Sequence, residues 1–216
     1  GDPSSEMFDK HYYLTQILGY SSSGLKGAIY KGWKKISLEA YNALNVSTYY
    51  GIDWGTNDPF CLVEVKITNR KVFVKCLVYE PLIVWSDTDD CVAKRLCRLG
   101  FTNEKIICDS AEPNSIMRLR GWSEDELPIE IKMQYPQLLE GFSTIAVKKP
   151  KIVERVKQLQ GLEVHLVDDP LTNKIWDEYV GYCWDTDKNG NPTDQPIDKN
   201  NHGLDSLNYV TYTVVR

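Results

Sequence analysis

The sequence of 216 residues contains no uninterrupted apolar run approaching the roughly 18 residues that a membrane-crossing helix needs. It therefore predicts no membrane span. Its start, GDPSSEMFDKHYY, has no apolar signal core, which points away from secretion. The six cysteines (Cys61, Cys76, Cys91, Cys97, Cys108 and Cys183) form no C-x-x-C pair, and the three histidines do not cluster with them. That excludes a zinc knuckle and a thioredoxin-type motif. Most of these cysteines lie in apolar or amphipathic runs and read as small buried hydrophobes with reduced thiols, in a cytosolic protein. Positive charge is short as well: 25 Lys and Arg against 30 Asp and Glu leave a net charge of −5. Bulk attraction to nucleic acid is thus disfavoured, whereas a local basic groove is compatible with the sequence. No Walker A motif occurs, because Gly19-x-x-x-x-Gly24 is followed by Leu25-Lys26 where Lys-Ser or Lys-Thr is required.

What is present is ordinary globular material, 42% hydrophobic and 25% charged, which rules out a disordered chain or a coiled coil. The length suits one large domain, or one domain with an extension. Residues 1–48 read as the extension, with a loop at Ser21–Gly24, and residues 49–216 as the domain. Strands are expected at Tyr49–Asp53, Phe60–Ile67 and Lys71–Tyr79, where Val72, Val74, Cys76 and Val78 alternate. These three suggest an antiparallel meander. Further strands are expected at Lys105–Cys108, Ile129–Lys132 and Glu163–Val167. Helices are expected at Asp87–Gly100, Glu112–Arg120, Gln137 to about Ala146, Lys151–Leu159, Thr172–Tyr179 and Gly203–Val215. A hairpin or loop is expected over Trp184–Asp198, around Lys188-Asn189-Gly190. Strands in a meander followed by alternating β and α argue for a mixed sheet with helices on its faces.

Three aspartates stand out by position. Asp53 ends the first strand in Gly51-Ile52-Asp53-Trp54-Gly55, and Asp109 ends the strand Ile106-Ile107-Cys108. Asp205 falls in the first turn of the last helix, in His202-Gly203-Leu204-Asp205. Sites in open α/β sheets form outside the carboxyl ends of the strands. If the first and fourth strands are neighbours, Asp53 and Asp109 leave the same edge, and a helix starting over that edge brings Asp205 between them. Each residue alone has a plain reading, as a turn former or as an acid on a helix dipole. Together they form a hard, all-oxygen donor set suited to Mg²⁺ or Mn²⁺ rather than to zinc or copper. Two such ions roughly 3.5–4 Å apart can hold a phosphodiester, activate water and stabilise the leaving oxygen.

GIDWGTNDP, CDSAEPNSIMRLRG and HGLDSLNYV resemble the three acidic motifs of the nuclease domain in phage terminase large subunits, the DNA-packaging motors. LGYSSSGLKGAIYKGW resembles the stretch joining the motor's ATPase to its nuclease. QLLEGFSTIAV and KIWDEYVGYCW, followed by DKNGN, resemble the middle helices and the hairpin before the last acid. The likeness runs from Leu18 onward in the family's order. It implies an α/β, ribonuclease H-like mixed sheet, an antiparallel meander plus parallel strands, flanked by helices. It also implies a two-metal endonuclease that cuts concatemeric DNA at the start and end of packaging, with Asp53, Asp109 and Asp205 as ligands of two Mg²⁺ or Mn²⁺ ions. Double-stranded DNA, an ATPase half in the same full-length chain, a portal protein and a small terminase subunit are the implied partners, in the host cytoplasm. Residues 1–48 would then lead from the ATPase half. Some relatives carry a second acid directly after the third motif, whereas Ser206 follows Asp205 here, so a fourth ligand must come from elsewhere.

Other residues carry two readings each. His202, three positions before Asp205, sits on the same side of the helix start, placed to orient water or protonate a leaving group; the plain reading is a loop histidine near an N-cap at Asn200 or Asn201. Asp58 reaches a metal or belongs to an ordinary turn in Asn57-Asp58-Pro59, and Glu112 before Pro113 either suits a helix start or takes a catalytic part. Trp54 stacks on a base or packs beside the active strand. Arg118, Arg120, Lys132, Lys148, Lys149 and Lys151 track phosphates or form solvated faces. Rival functions are an actin-like or sugar-kinase-type nucleotide-binding domain, which GIDWGT also resembles but which needs a second Gly-rich loop, and a catalytically weak docking module of the motor. A Holliday-junction resolvase, with the same chemistry, would need a basic surface.

Overall fold

The computed structural model describes residues 27–188, 192–196 and 201–215. The expected Ser21–Gly24 loop and the Gly19–Gly24 segment lie outside them.

The β-branched run after residue 60 builds the centre of the sheet. β3 (Phe60–Thr68) and β4 (Lys71–Glu80) pair antiparallel, turned by Asn69-Arg70. β2 (Ser47–Asp53) pairs antiparallel with β3 and completes the expected meander. Parallel strands extend it on both sides: β5 (Ile106–Asp109) and β6 (Thr144–Val147) beyond β2, β7 (Glu163–Val167) and β1 (Lys34–Ile36) beyond β4. The order is β1-β7-β4-β3-β2-β5-β6. The helices among the described residues are α1 (Leu38–Asn42), α2 (Val92–Arg98), α3 (Pro113–Leu119), α4 (Ile129–Gln134), α5 (Gln137–Glu140), α6 (Ile152–Gln160), α7 (Asn173–Gly181) and α8 (His202–Val214). β8 (Trp184–Thr186) and β9 (Pro192–Pro196) form a hairpin within the stretch expected as hairpin or loop.

Alternation along the strands assigns two cores. Cys61, Val63 and Val65 of β3 face α6, α7 and α8, packing with Val156, Leu159, Ile175, Leu204, Leu207 and Val210. Phe60 and Leu62 face the other way, towards Val92 and Leu96 of α2, Ile116 and Leu119 of α3, and Leu138 of α5. Burying one such Leu or Phe contributes about 1.5–3 kcal/mol, so a central strand covered on both faces is the stable frame for anything mounted at its ends. The cysteines are free, and Cys61, Cys76, Cys91 and Cys108 are buried in these cores as expected.

Ahead of β2, β1 pairs with β7, and Ile29, Tyr30 and Trp33 are buried in the α8-side core, Trp33 stacking on Tyr179. Three local expectations change. The helix expected from Asp87 begins only at Val92, because the acidic stretch forms a loop: Ser86 Oγ accepts from Asp89 N–H, Asp90 accepts from Cys91 N–H, and Lys94 Nζ donates to the carbonyls of Asp87 and Asp89. Leu99, which caps that helix, is exposed. Ile129–Lys132 is helical rather than a strand, since Leu127, Ile131 and Tyr135 turn inward at a spacing of four while Ile129 and Met133 are exposed. The helix expected over 137–146 stops at Glu140. Gly141 takes φ 73°, and a Cβ there would meet Arg120 O at 2.1 Å. The β-branched residues beyond it join the sheet as β6, parallel to β5. No helix among the described residues is long and apolar enough to cross a membrane.

Candidate active site

β2 and β5 run parallel with Ile52 opposite Cys108, so Asp53 and Asp109 leave neighbouring strands at the same carboxyl edge. The sequence-based condition that these two strands be neighbours is met. α8 lies directly on β2, and Gly51 makes this approach possible: a Cβ there would meet Ser206 O at 2.4 Å and Val210 Cγ2 at 2.7 Å. A buried carboxylate fixes where α8 starts. Glu178 of α7 accepts from the N–H groups of Gly203 and Leu204 at 3.0 and 2.9 Å, and from the Tyr79 hydroxyl at 2.6 Å. Burial pushes its carboxyl up to about 7 against these three donors, which favour the ionised form.

The aspartates are joined through α8. The Tyr209 hydroxyl donates to Asp109 Oδ2 at 3.1 Å and lies 3.4 Å from Asp53 Oδ1. Asp53 Oδ2 is 3.0 Å from His202 Nδ1, and Asp109 Oδ1 accepts from Ala111 N–H at 3.0 Å. Trp54 Nε1 donates to the main-chain oxygen of Asp109 at 3.1 Å, tying the two strand ends together, which is the packing reading of that residue. Burial raises the Asp53 carboxyl above its ordinary range; the His202 hydrogen bond opposes this, the Asp205 charge adds to it, and the Lys149 charge opposes it. The same hydrogen bond to Asp53 raises the His202 imidazole. The Tyr209 hydroxyl is raised by burial and then by the charges of Asp53, Asp205 and Asp109, which places all three carboxylates within its electrostatic reach.

Asp205 differs from the other two. It is buried, 3% exposed, and it pairs with Lys149 Nζ at 2.6 Å through Oδ2 and with Arg155 Nη1 through Oδ1. Among the described residues no three His, Cys, Asp or Glu side chains come close enough together to hold one ion. The expected trio is therefore a pair, Asp53 and Asp109, with the third carboxylate nearby but turned towards two cations. The pair still fits a hard dication. One O–H serves one acceptor at a time, so Tyr209 cannot satisfy both facing carboxylate oxygens.

Of the basic residues singled out, Lys149 reaches the acids. Lys148, Lys149 and Lys151 come after β6, whose Val147 is opposite Asp109, so the run leaves the same sheet edge as the aspartates. Arg118 pairs with Glu126, Arg120 binds Thr144, and Lys132 caps the carbonyl of Glu124, so all three serve local structure. Glu112 is exposed at the start of α3, beside a cavity of about 110 Å³ shared with Trp54, Gly55 and Ser115. Asp58 sits in an exposed bend, and its charge contributes to raising His202. Ser206 turns to the sheet, its hydroxyl within hydrogen-bond distance of two carbonyls, His202 O at 2.8 Å and Cys61 O at 3.2 Å. Tyr209 and Arg155 were missed. Tyr209 stands four residues after Asp205 and seven after His202, one helix face that spacing could have revealed. Arg155 interrupts the inward face formed by Val156 and Leu159 of α6, and a charge in such a face signals a buried partner.

No family model matches the chain. Over 210 residues it is 29% identical to the large terminase subunit of Bacillus phage SPP1, a match covering 95% of this chain and 44% of that protein. The chain thus spans less than half the length of that relative. Among solved structures, the nuclease domain of the g2p large terminase from bacteriophage SPP1, with bound Mn, aligns with a TM-score of 0.61 at 21% identity, covering 83% of this chain and 93% of that one. The fold is that of a large-terminase nuclease domain. The large terminase of the thermophilic bacteriophage D6E aligns with a TM-score of 0.57 at 14% identity, over 88% of this chain and 46% of that one. The ribonuclease H-like mixed sheet expected from the sequence is the one observed.

Proposed function

We propose that this chain is the metal-dependent DNA endonuclease domain of a viral large terminase, cutting concatemeric double-stranded DNA during genome packaging by two-metal phosphodiester hydrolysis. The observation that carries this reading is the meeting of Asp53 and Asp109 across Tyr209, with Asp205 brought alongside by α8, in the fold shared with a Mn-bound nuclease domain. Asp53 and Asp109 would hold the first ion, with Asp205 contributing to a second. Bound there, Mg²⁺ or Mn²⁺ supplies Lewis-acid activation of water and stabilisation of the leaving oxygen. His202 orients Asp53 through Nδ1, and its imidazole stands ready to hold or release a proton at the site. Tyr209 sets the distance between the two strand-end carboxylates. Lys148 and Lys151, exposed at the same edge, track the DNA backbone without reading its sequence.

In this reading the segment before β1 leads to an ATPase half of the same full-length chain. The portal protein and the small terminase subunit are its further partners, in the host cytoplasm. Plasmid nicking and linearisation with Mn²⁺ or Mg²⁺ tests the activity. Asp53→Asn, Asp109→Asn and Asp205→Asn should each abolish cutting while thermal unfolding stays cooperative. Full cutting by the Asp109→Asn protein would remove that residue from the mechanism.

A further inference from the structure

Lys149 and Arg155 hold opposite oxygens of Asp205, and releasing that carboxylate has a different consequence for each. Arg155 lies on α6 with its side chain 5% exposed, and its Nε is buried without a hydrogen-bond partner. Withdrawing Asp205 would strand that guanidinium as a buried, unpaired charge, a strongly unfavourable state. Lys149 has a side chain 42% exposed on the loop that leaves β6. Its flexible stem can return the ammonium to water readily. The Lys149 charge is also felt at Asp53, where it opposes the rise of that carboxyl. Three carboxylates around Tyr209 are thus balanced by one fixed cation and one loose one.

We propose that Lys149 is a built-in stand-in for the second divalent ion: its ammonium occupies Asp205 Oδ2 and is displaced when that ion binds, while Arg155 keeps Oδ1. The proposal rests on the two-ion reading above. It explains why no three acidic ligands converge among the described residues although the charges of all three aspartates act on Tyr209. Coordination at Oδ2 sets an ammonium and a dication in competition for one oxygen, so the second ion binds more weakly than the first. Displacement also frees Lys149 to join Lys148 and Lys151, which makes filling of the second position and grip on a phosphate backbone favour each other.

Mn²⁺ binding to the full 216-residue chain without DNA, measured by titration calorimetry and by electron paramagnetic resonance of free Mn²⁺, separates the outcomes. The natural chain should show one tighter and one weaker site. Lys149→Met should tighten the weaker site about tenfold and leave the tighter one unchanged, as expected for losing one partly exposed ion-pair partner. Lys149→Arg, which keeps the cation, should retain the weak second site. Thermal unfolding of both variants should match that of the natural chain, because the side chain is half exposed. A second site unchanged or weaker in Lys149→Met would overturn the proposal and leave the two-ion reading intact. Absence of Mn²⁺ binding in every form would overturn both.

Discussion

Tyr209 donates its hydroxyl to Asp109 at 3.1 Å, across 100 residues of sequence, and in doing so ties α8 to the end of β5. The hydroxyl also lies within reach of Asp53, so a single side chain sets the spacing of the two strand-end carboxylates. Tyr209→Phe keeps the ring in its core and removes the donor. It should lower Mn²⁺ affinity or cleavage about 10- to 100-fold, the usual range for losing a group that orients metal ligands, with little change in unfolding temperature. Undiminished binding and cutting would make Tyr209 a core residue only.

Gly51 carries the contact between α8 and β2. Gly51→Ala places a methyl group 2.4 Å from Ser206 O, so the helix must shift and take Asp205 and His202 with it. A loss of about 1–3 kcal/mol is expected for such overpacking. In a chain of this size each kcal/mol lowers the unfolding midpoint by about 2–4 °C. Calorimetry should show the drop, and plasmid cutting should fall further than stability alone accounts for.

Glu178 gives stability a pH dependence. Its carboxyl titrates at about 7 in the folded chain against an ordinary 4.5, so the folded state binds the proton more tightly than the unfolded state does. The contribution is fully present below pH 4.5 and is lost as the pH rises through 7. Glu178→Gln removes this titration. It should show a flatter unfolding midpoint between pH 5 and 8, roughly the window of that shift, and a lower midpoint at acid pH because its amide nitrogen cannot accept from Leu204 N–H. Parallel profiles for the two proteins would remove Glu178 as the source.

With a net charge of −5, binding to duplex DNA rests on the short basic run after β6. Affinity should be about micromolar or weaker at physiological salt and fall as salt rises. Lys148→Ala combined with Lys151→Ala should flatten the salt dependence, measured by fluorescence anisotropy. Submicromolar binding at physiological salt would point to a larger contact surface.

No local pattern fixes which strands are neighbours, so the placement of β2 beside β5 stood only as a condition. The meander and the helix bearing Asp205 were legible in the sequence, because period-2 runs and a terminal apolar stripe are local signals. The trade of helix for strand at Thr144–Val147 was not, since Leu138, Leu139, Phe142 and Ile145 keep a helical spacing across Gly141 and only pairing with β5 decides between the two. The reverse holds at Ile129–Lys132, where alternation mimics a strand that has no partner. The acids were found by position, but the tether of Asp205 to Arg155 was not. Arg155 lies 50 residues away, on a helix whose approach to α8 no local pattern encodes. Likewise Lys149 was one of six basic candidates, and only parallel pairing of β6 with β5 brings it to the site.

Anomalous diffraction from a crystal soaked in Mn²⁺ tests the central claim most directly. Two peaks are expected at the carboxyl edge of β2 and β5, one between Asp53 and Asp109 and one at Asp205 with Lys149 swung away. Saturating Mn²⁺ with no peak at these carboxylates, or peaks at acids elsewhere on the surface, would contradict it.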